Sequence, residues 1–224
     1  MSALSPCPLC QAPTTDFYHQ DKQRCYFRCD VCALVFADRT CLLSSQAEYA
    51  QYLLHNNDLN DAGYRQFLSR LSEPLLARLA GAGSSAGHSA GYSGLDFGCG
   101  PGPLLASMLT EAGQQMQVWD PYFADNPAAL QQQYDFICCS EAIEHFVNPQ
   151  HEWQLWLQLL KPAGLLAIMT KRYTDLAAFR HWHYKNDPTH VSFFHQDTFG
   201  WLAARHKMSA DFVTNDVVIL QKTG

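Results

Sequence analysis

The sequence predicts an α/β fold, a doubly wound parallel sheet preceded by a small cysteine-rich module and a helical connector. Three observations carry this expectation. From Leu95 onward, short apolar runs alternate with amphipathic stretches, the pattern of strand–helix units. Three alternating glycines, Gly98, Gly100 and Gly102, close the first of those strands and open a helix. Two C-x-x-C pairs, Cys7/Cys10 and Cys29/Cys32, stand near the N-terminus. The expected organisation is a cysteine module over 1–45, a helical cap with a Gly/Ala/Ser linker over 46–90, and the sheet domain over 91–224.

At 224 residues, 47% hydrophobic and 16% charged, the chain can bury a real core, so neither disorder nor a disulfide scaffold is the default. No apolar run reaches the roughly 18–20 residues of a membrane span. Met1 to Cys10 has neither the basic start nor the apolar stretch of a signal peptide. The expectation is a cytoplasmic protein with no membrane partner. Nine cysteines, five of them in the first 32 residues, then point to metal rather than disulfides. Of the net charge of −6, residues 1–45 carry four basic and four acidic groups, residues 46–95 three and four, and residues 96–224 eight and thirteen. Neither end forms the basic stripe of tight nucleic-acid binding, and no apolar face is clearly surplus to the core.

In chain order, Cys25–Phe27 and Ala33–Phe36 read as short strands. Residues 46–79 read as helical: Asp61 is placed to cap a run in which Tyr64, Phe67, Leu68, Leu71, Leu75 and Leu79 recur at helical spacing. Pro74 should kink or restart that helix. Ala80 to Gly94 reads as a flexible linker. Leu95–Phe97, Gln117–Trp119, Tyr134–Ser140, Leu165–Thr170 and Val217–Gln221 read as strands, with Lys161–Gly164 as a turn. Leu104–Leu109 and Glu152–Leu160 read as helices. The near-continuous apolar run at Tyr134–Ser140 marks a strand buried on both faces.

The segment Leu95-Asp96-Phe97-Gly98-Cys99-Gly100-Pro101-Gly102 lets a ligand lie against the backbone at a helix N-terminus. A dinucleotide fingerprint, G-x-G-x-x-G, needs a glycine where Pro103 stands, which argues against a dehydrogenase. An acidic residue two before the first glycine, then G-x-G-x-G, resembles the first motif of class I S-adenosylmethionine-dependent methyltransferases. Asp120, ending Gln117-Val118-Trp119-Asp120, resembles the second, and Leu160-Lys161-Pro162-Ala163-Gly164 follows in order. The resemblance covers roughly residues 90–224 and implies a Rossmann-like methyltransferase sheet. It implies S-adenosylmethionine as cofactor, held by Asp96, Gly98, Cys99, Gly100, Gly102, Asp120, Pro121, Tyr122, Ser140 and Glu141. Asp120 would accept the ribose hydroxyls, and Asp96 would face the methionine end, directly or by ordering the loop. Only thirteen residues separate Asp120 from Tyr134, where the family fits a helix and another strand. That strand is therefore missing or very short, and the acidic residue that holds the adenine amino group has no counterpart. Tyr122 and Phe123 are placed to pack against adenine or within the core.

Ser140-Glu141-Ala142-Ile143-Glu144-His145 follows the buried strand, at the carboxyl end where open α/β sheets bind ligands. If the segment is helical, its spacing puts Glu141, Glu144 and His145 on one face, ready for acid–base work or for a cation. E-x-x-E-H here resembles the ubiquinone-biosynthesis O-methyltransferases and the small-RNA 2′-O-methyltransferases. That resemblance implies a divalent metal at Glu141, Glu144 and His145, orienting a substrate hydroxyl. Metal-free relatives also carry Glu-His, where the imidazole serves as a base or packs. Downstream, His181 to His195 holds four of the ten histidines. Within it, Asp187-Pro188-Thr189-His190-Val191-Ser192-Phe193-Phe194 resembles a pocket-forming stretch of small-molecule methyltransferases. His190 is the partner expected for Glu144 and His145 in catalysis, with His183 next. Trp182, Tyr184, Phe193 and Phe194 suit a pocket wall or the core, and His55 lies in a segment that could cap the pocket.

Cys7-Pro8-Leu9-Cys10 and Cys29-Asp30-Val31-Cys32, eighteen residues apart, fit a four-Cys zinc ribbon whose closed tetrahedral site is structural. Cys25 is spaced less aptly. Cys99, Cys138 and Cys139 read as packing residues. A zinc module before such a domain resembles two groups: rRNA guanine methyltransferases, where it contacts RNA, and deoxysugar C-methyltransferases, where it covers the sugar nucleotide. The neutral ribbon favours a small-molecule substrate, sugar- or quinone/phenol-like, methylated by direct in-line transfer. The alternatives are an RNA-modifying enzyme, with Lys171, Arg172, Arg180 and Lys185 as its only basic cluster, and a non-catalytic interaction protein.

Overall fold

The computed structural model describes residues 6–54, 61–82 and 91–223. The two cysteine knuckles adopt the same turn. Gln11 N donates to Cys7 O and Ala33 N to Cys29 O, and both Gln11 (φ 61°) and Ala33 (φ 59°) are left-handed. Three antiparallel strands follow, β1 (Asp16–Gln20), β2 (Cys25–Arg28) and β3 (Val35–Ala37). The polar strand β1 escaped the sequence reading because it lacks a clean apolar alternation.

Helix α1 (Ser45–Tyr52) is capped by the Ser44 hydroxyl, which accepts from Ala47 N. Helix α2 (Ala62–Ala82) is capped as expected, with Asp61 Oδ1 accepting from Gly63 N and Tyr64 N at 2.8 and 3.1 Å. The helix does not restart at Pro74: α2 is continuous across it. A proline inside a helix costs about 3 kcal/mol. Leu68, Leu71, Leu75 and Leu79, all buried on one stripe, each return about 2 kcal/mol and outweigh it. The helix takes residues 80–82 of the expected linker and the next strand takes 93–94; residues 83–90 of the linker and His55 lie outside the described residues.

The remaining elements build the large sheet. They are β4 (Ser93–Phe97), α3 (Leu104–Glu111), β5 (Gln115–Trp119), β6 (Tyr134–Ser140), α4 (Pro149–Leu159) and β7 (Leu160–Met169). Then come α5 (Leu176–His181), β8 (Ser192–Phe193), α6 (Gln196–Arg205), β9 (Met208–Phe212) and β10 (Val217–Lys222). The order is β5-β4-β6-β7-β10-β9. The first four strands are parallel, but β10 runs antiparallel to both β7 and β9. The sheet is therefore mixed rather than wholly parallel, because β9 and β10 are joined too closely for a crossover. Lys161–Gly164 is not a free turn: it lies within β7, where the pairing with β6 shifts register. Between Asp120 and Tyr134 there is a short 3-10 turn, Pro127–Gln131, and no strand, so β5 is the edge.

Helices α2 and α3 cover one face of the sheet through Leu71, Leu75, Leu105 and Leu109. Trp153 and Trp156 of α4 and Phe199 and Leu202 of α6 cover the other. The cysteine module joins this second core: Cys7, Leu9, Leu34 and Phe36 pack in the same cluster. Strand β8 also pairs with β3, Val35 opposite Phe193 and Phe36 opposite Ser192, completing a second sheet β1-β2-β3-β8. Among the described residues no helix is long and apolar enough to cross a membrane.

Gly94 is where backbone and side chains approach most closely in β4. A Cβ there would lie 2.2 Å from Phe136 Cζ and 2.7 Å from Met116 Sδ. We expect Gly94→Ala to lower stability by about 1–3 kcal/mol, read from the urea midpoint, through overpacking.

Candidate active site

The carboxyl ends of β4, β5 and β6 open into one cavity of about 540 Å³. All thirteen residues that the sequence nominated for cofactor or catalysis line it, from Asp96 and the glycine loop to Glu144, His145 and His190. Gly98 and Gly100 both need left-handed backbone, at φ 78° and 65°, and a Cβ on Gly98 would meet the Ala142 methyl at 2.6 Å. Gly98 N donates to Trp119 O at 2.8 Å, tying the loop to β5.

The Asp120 carboxylate binds this backbone itself. It accepts from Gly100 N at 3.0 Å and from Tyr122 N and Phe123 N at 2.9 and 3.1 Å. With three of about four acceptor positions filled, it has little left for two further hydroxyls. Asp96 is wholly buried beneath the loop, and burial pushes its carboxyl up to about 7 despite the Ala106 backbone N–H that favours the charged form. The Cys99 thiol is likewise raised by burial and is no nucleophile at neutral pH.

The helical cap expected over 46–90 supplies a wall through residues that were not named for it. Helix α1 lies across the cavity, with Glu48 accepting from Tyr52 OH at 2.8 Å and from Tyr122 OH at 2.7 Å. Tyr49 packs 5.6 Å from both Tyr122 and Phe123, and the Tyr52 ring meets His145 edge-on at 5.3 Å. Tyr64, Phe67 and Glu152 also reach the cavity. For Tyr64 and Phe67 the helical stripe was a readable signal; for Glu48 and Glu152 there was none.

At the end of β6 the backbone turns sharply. Glu141 is left-handed (φ 47°), its N–H donating to Met169 O at 2.7 Å, and Ile143–His145 forms a 3-10 turn. The helical face expected for Glu141, Glu144 and His145 therefore does not exist. The three ligand-bearing groups within 4.8 Å of one another are Glu144, His145 and His190; Glu141 is not among them. Glu141 instead faces Tyr184 OH at 3.3 Å, and burial, with Glu144 nearby, pushes its carboxyl up to about 8. Its Oε1 and the Ser140 Oγ are buried without a partner.

Glu144, 1% exposed, accepts from Thr170 Oγ1 at 2.9 Å and from the Tyr184 hydroxyl. His145 Nδ1 lies 3.2 Å from Thr189 O, and His190 Nδ1 lies 2.8 Å from Tyr184 O. A carbonyl only accepts, so each neutral ring carries its proton on Nδ1 and leaves an Nε2 lone pair. The two rings meet edge to face at 4.7 Å. Burial holds the His190 imidazole below its ordinary pKa, which keeps it neutral. His183 is exposed and away from the cavity. Tyr184, Phe193 and Phe194 belong to the core, with Trp182 packed against it, rather than to the cavity wall.

At the N-terminus, Cys7 and Cys32 sulfurs stand 3.6 Å apart and Cys10 and Cys29 3.4 Å, all four within 4.8 Å. This donor set and its closeness fit one tetrahedral soft-metal ion. Cys25 stands outside it.

Asp96 gives a stability prediction. A carboxyl raised from 3.8 to about 7 contributes stability that is complete below 3.8 and lost as pH rises through 7. Urea midpoints should show the protein losing about 2 kcal/mol between about pH 5.5 and 8 that Asp96→Asn does not lose. Glu141 shifts in the same direction but is present in both proteins, so the difference isolates Asp96.

The family described as "Methyltransferase domain" matches residues 60–206, more than half of the chain. Ubiquinone biosynthesis O-methyltransferases of Salmonella enteritidis and Klebsiella pneumoniae are each 32% identical over 87 residues. That stretch is 39% of this chain, and it spans only 36% of those relatives' length. Among solved structures, an O-methyltransferase family protein from Burkholderia thailandensis aligns at 18% identity and TM-score 0.49, over 81% of this chain and 63% of that one. The plantazolicin methyltransferase BpumL in complex with SAH aligns at 14% and 0.49, over 80% and 90%. The chain belongs to the methyltransferase-domain family.

Proposed function

We propose that the chain methylates a hydroxyl of a small acceptor, phenol-, quinol- or sugar-like, with S-adenosylmethionine as donor. The observation that carries this reading is the pair of Nε2 lone pairs, on His145 and His190, beside the buried Glu144 carboxylate on the cavity wall. The cofactor fits the rest of the cavity. The left-handed glycine loop leaves room against the backbone, and the buried Ser140 Oγ and Glu141 Oε1, which lack partners, are polar groups that a ligand could engage. When bound, S-adenosylmethionine supplies a methyl group activated by a sulfonium. The protein's own part is to bind, to exclude water and to take the acceptor's proton on an Nε2 atom. Glu144 then stabilises the imidazolium that results.

A cavity of about 540 Å³ that must also hold the cofactor leaves space for a small acceptor only. The likeness to the ubiquinone-biosynthesis enzymes supports a hydroxyl as nucleophile. An RNA acceptor is disfavoured because the basic residues do not form a face. Lys185 is buried against Asp21, and Arg172 is bonded to Thr214 O. Glu144, His145 and His190 also suit a divalent cation, which would lower the hydroxyl's pKa in place of a free base.

With catechol as the acceptor, S-adenosylhomocysteine should form, and Glu144→Gln should slow it about 100- to 10,000-fold with product affinity kept within about two-fold. Unchanged turnover would remove Glu144 from the chemistry. Turnover lost to EDTA and restored by Mg²⁺ would select the metal form; EDTA-insensitive turnover would select the free base.

We assign the four-Cys cluster to structural zinc. Metal analysis should find about one zinc per chain, absent in Cys29→Ser along with several kcal/mol of stability, read as a fall in Tm.

A further inference from the structure

We propose that Arg24, in the cysteine-bearing module, is a positioning residue for the reaction centre: its guanidinium fixes the 184–190 turn and thereby sets the proton positions of His145 and His190. The inference rests on the reading of those two histidines as the proton-accepting groups.

Arg24 sits at the β1–β2 hairpin, where its N–H donates to Asp21 Oδ1 at 2.8 Å, and it is only 6% exposed. Its guanidinium reaches out of the module into the sheet domain. One terminal nitrogen donates to Pro188 O at 3.2 Å and His190 O at 2.9 Å. The other donates to Asp187 O at 2.9 Å and to Lys185 O, while Nε donates to Tyr26 OH at 3.1 Å. One planar group thus gathers four carbonyls of a six-residue stretch. That stretch runs from the last residues of a 3-10 turn to the residue before the Val191 step into a two-residue strand, so no sheet ladder satisfies its carbonyls. Asp187 O also accepts from His190 N at 3.2 Å and Lys185 O from Tyr26 OH at 3.4 Å, so the carbonyls of Pro188 and His190 depend most on Arg24, and leaving either unpaired would cost up to about 1–3 kcal/mol.

Two further carbonyls of the turn face the histidines. Tyr184 O takes the Nδ1 proton of His190, and Thr189 O takes that of His145. The turn is therefore split into two sets: four carbonyls wrapped on the guanidinium and two that choose the tautomer of the imidazoles. Gathering the first set holds the second in place. The module's backbone supports the same stretch, since Ala37 N donates to Val191 O at 2.9 Å and β3 pairs with β8. Only arginine offers five N–H donors in a fixed plane; a lysine ammonium has three donors on one centre and cannot span four carbonyls.

The test uses the full chain with its bound metal, wild type against Arg24→Lys, labelled with ¹⁵N-histidine. In wild type, two imidazoles should show the Nδ1–H form. In Arg24→Lys those two should move toward the Nε2–H form, while zinc content is unchanged and S-adenosylhomocysteine affinity stays within about two-fold. Turnover of catechol should fall about 10- to 100-fold in kcat, with the KM for S-adenosylmethionine little changed. If both tautomers and kcat survive in Arg24→Lys, the proposal is wrong. If cofactor affinity falls together with kcat, Arg24 is a general fold residue and the proposal is equally wrong. Should Arg24→Lys fail to fold, Arg24→Ala prepared with millimolar guanidinium replaces it. Guanidinium but not ethylammonium should restore the tautomers; rescue by both, or by neither, would overturn the claim for the planar fork. Wild type inert toward catechol would count against the acceptor reading alone, because the imidazole spectra still decide the role of Arg24.

Discussion

A carboxylate buried almost completely is the constraint around which the cavity is organised. Glu144 is 1% exposed, and a charge in such a place is unaffordable unless hydrogen bonds and a counter-group surround it. Thr170 at the end of β7 and Tyr184 in the following turn supply the hydrogen bonds, and His145 and His190 stand beside it. Three separate stretches of chain must therefore converge for the protein to fold. Convergence of that kind places two imidazoles, each with Nδ1 turned to a backbone carbonyl, on the wall of the cavity. Stability and candidate chemistry rest on the same atoms.

The cysteine module is part of this arrangement rather than an appendage. It shares a core with α4 and α6, lends β3 to β8, and sends its polar groups into the turn that precedes β8. The four clustered cysteines stand at one end of β2, and a metal bound there would stiffen a framework that reaches to the cavity at the other. A segment this short has little apolar surface of its own, so the core it shares with α4 and α6 holds it.

Local signals in the sequence were enough for the glycine loop, the four clustered cysteines, the Asp61 cap and the strand Tyr134–Ser140, because each is dictated within a few residues. The absent strand after β5 was also readable, from a connection too short to hold it. What could not be read depends on distant partners. At Pro74 the sequence offered a kink or a restart, and the leucine stripe buried against the sheet keeps α2 continuous through it. Glu141 looked like a neighbour of Glu144 and His145 until the backbone turned left-handed and brought His190 in its place. Glu48 and Tyr52 gave no signal, since their value comes from α1 lying across the cavity. Strand β8, two residues long, exists only because β3 presents an edge to it.

Native mass spectrometry of the freshly purified full chain tests the account most directly, because it weighs both sites at once. The account requires one zinc ion together with one S-adenosylmethionine or S-adenosylhomocysteine, or uptake of the latter on addition. Zinc without any nucleoside uptake would contradict it, leaving a metal-stabilised fold whose cavity serves some other ligand.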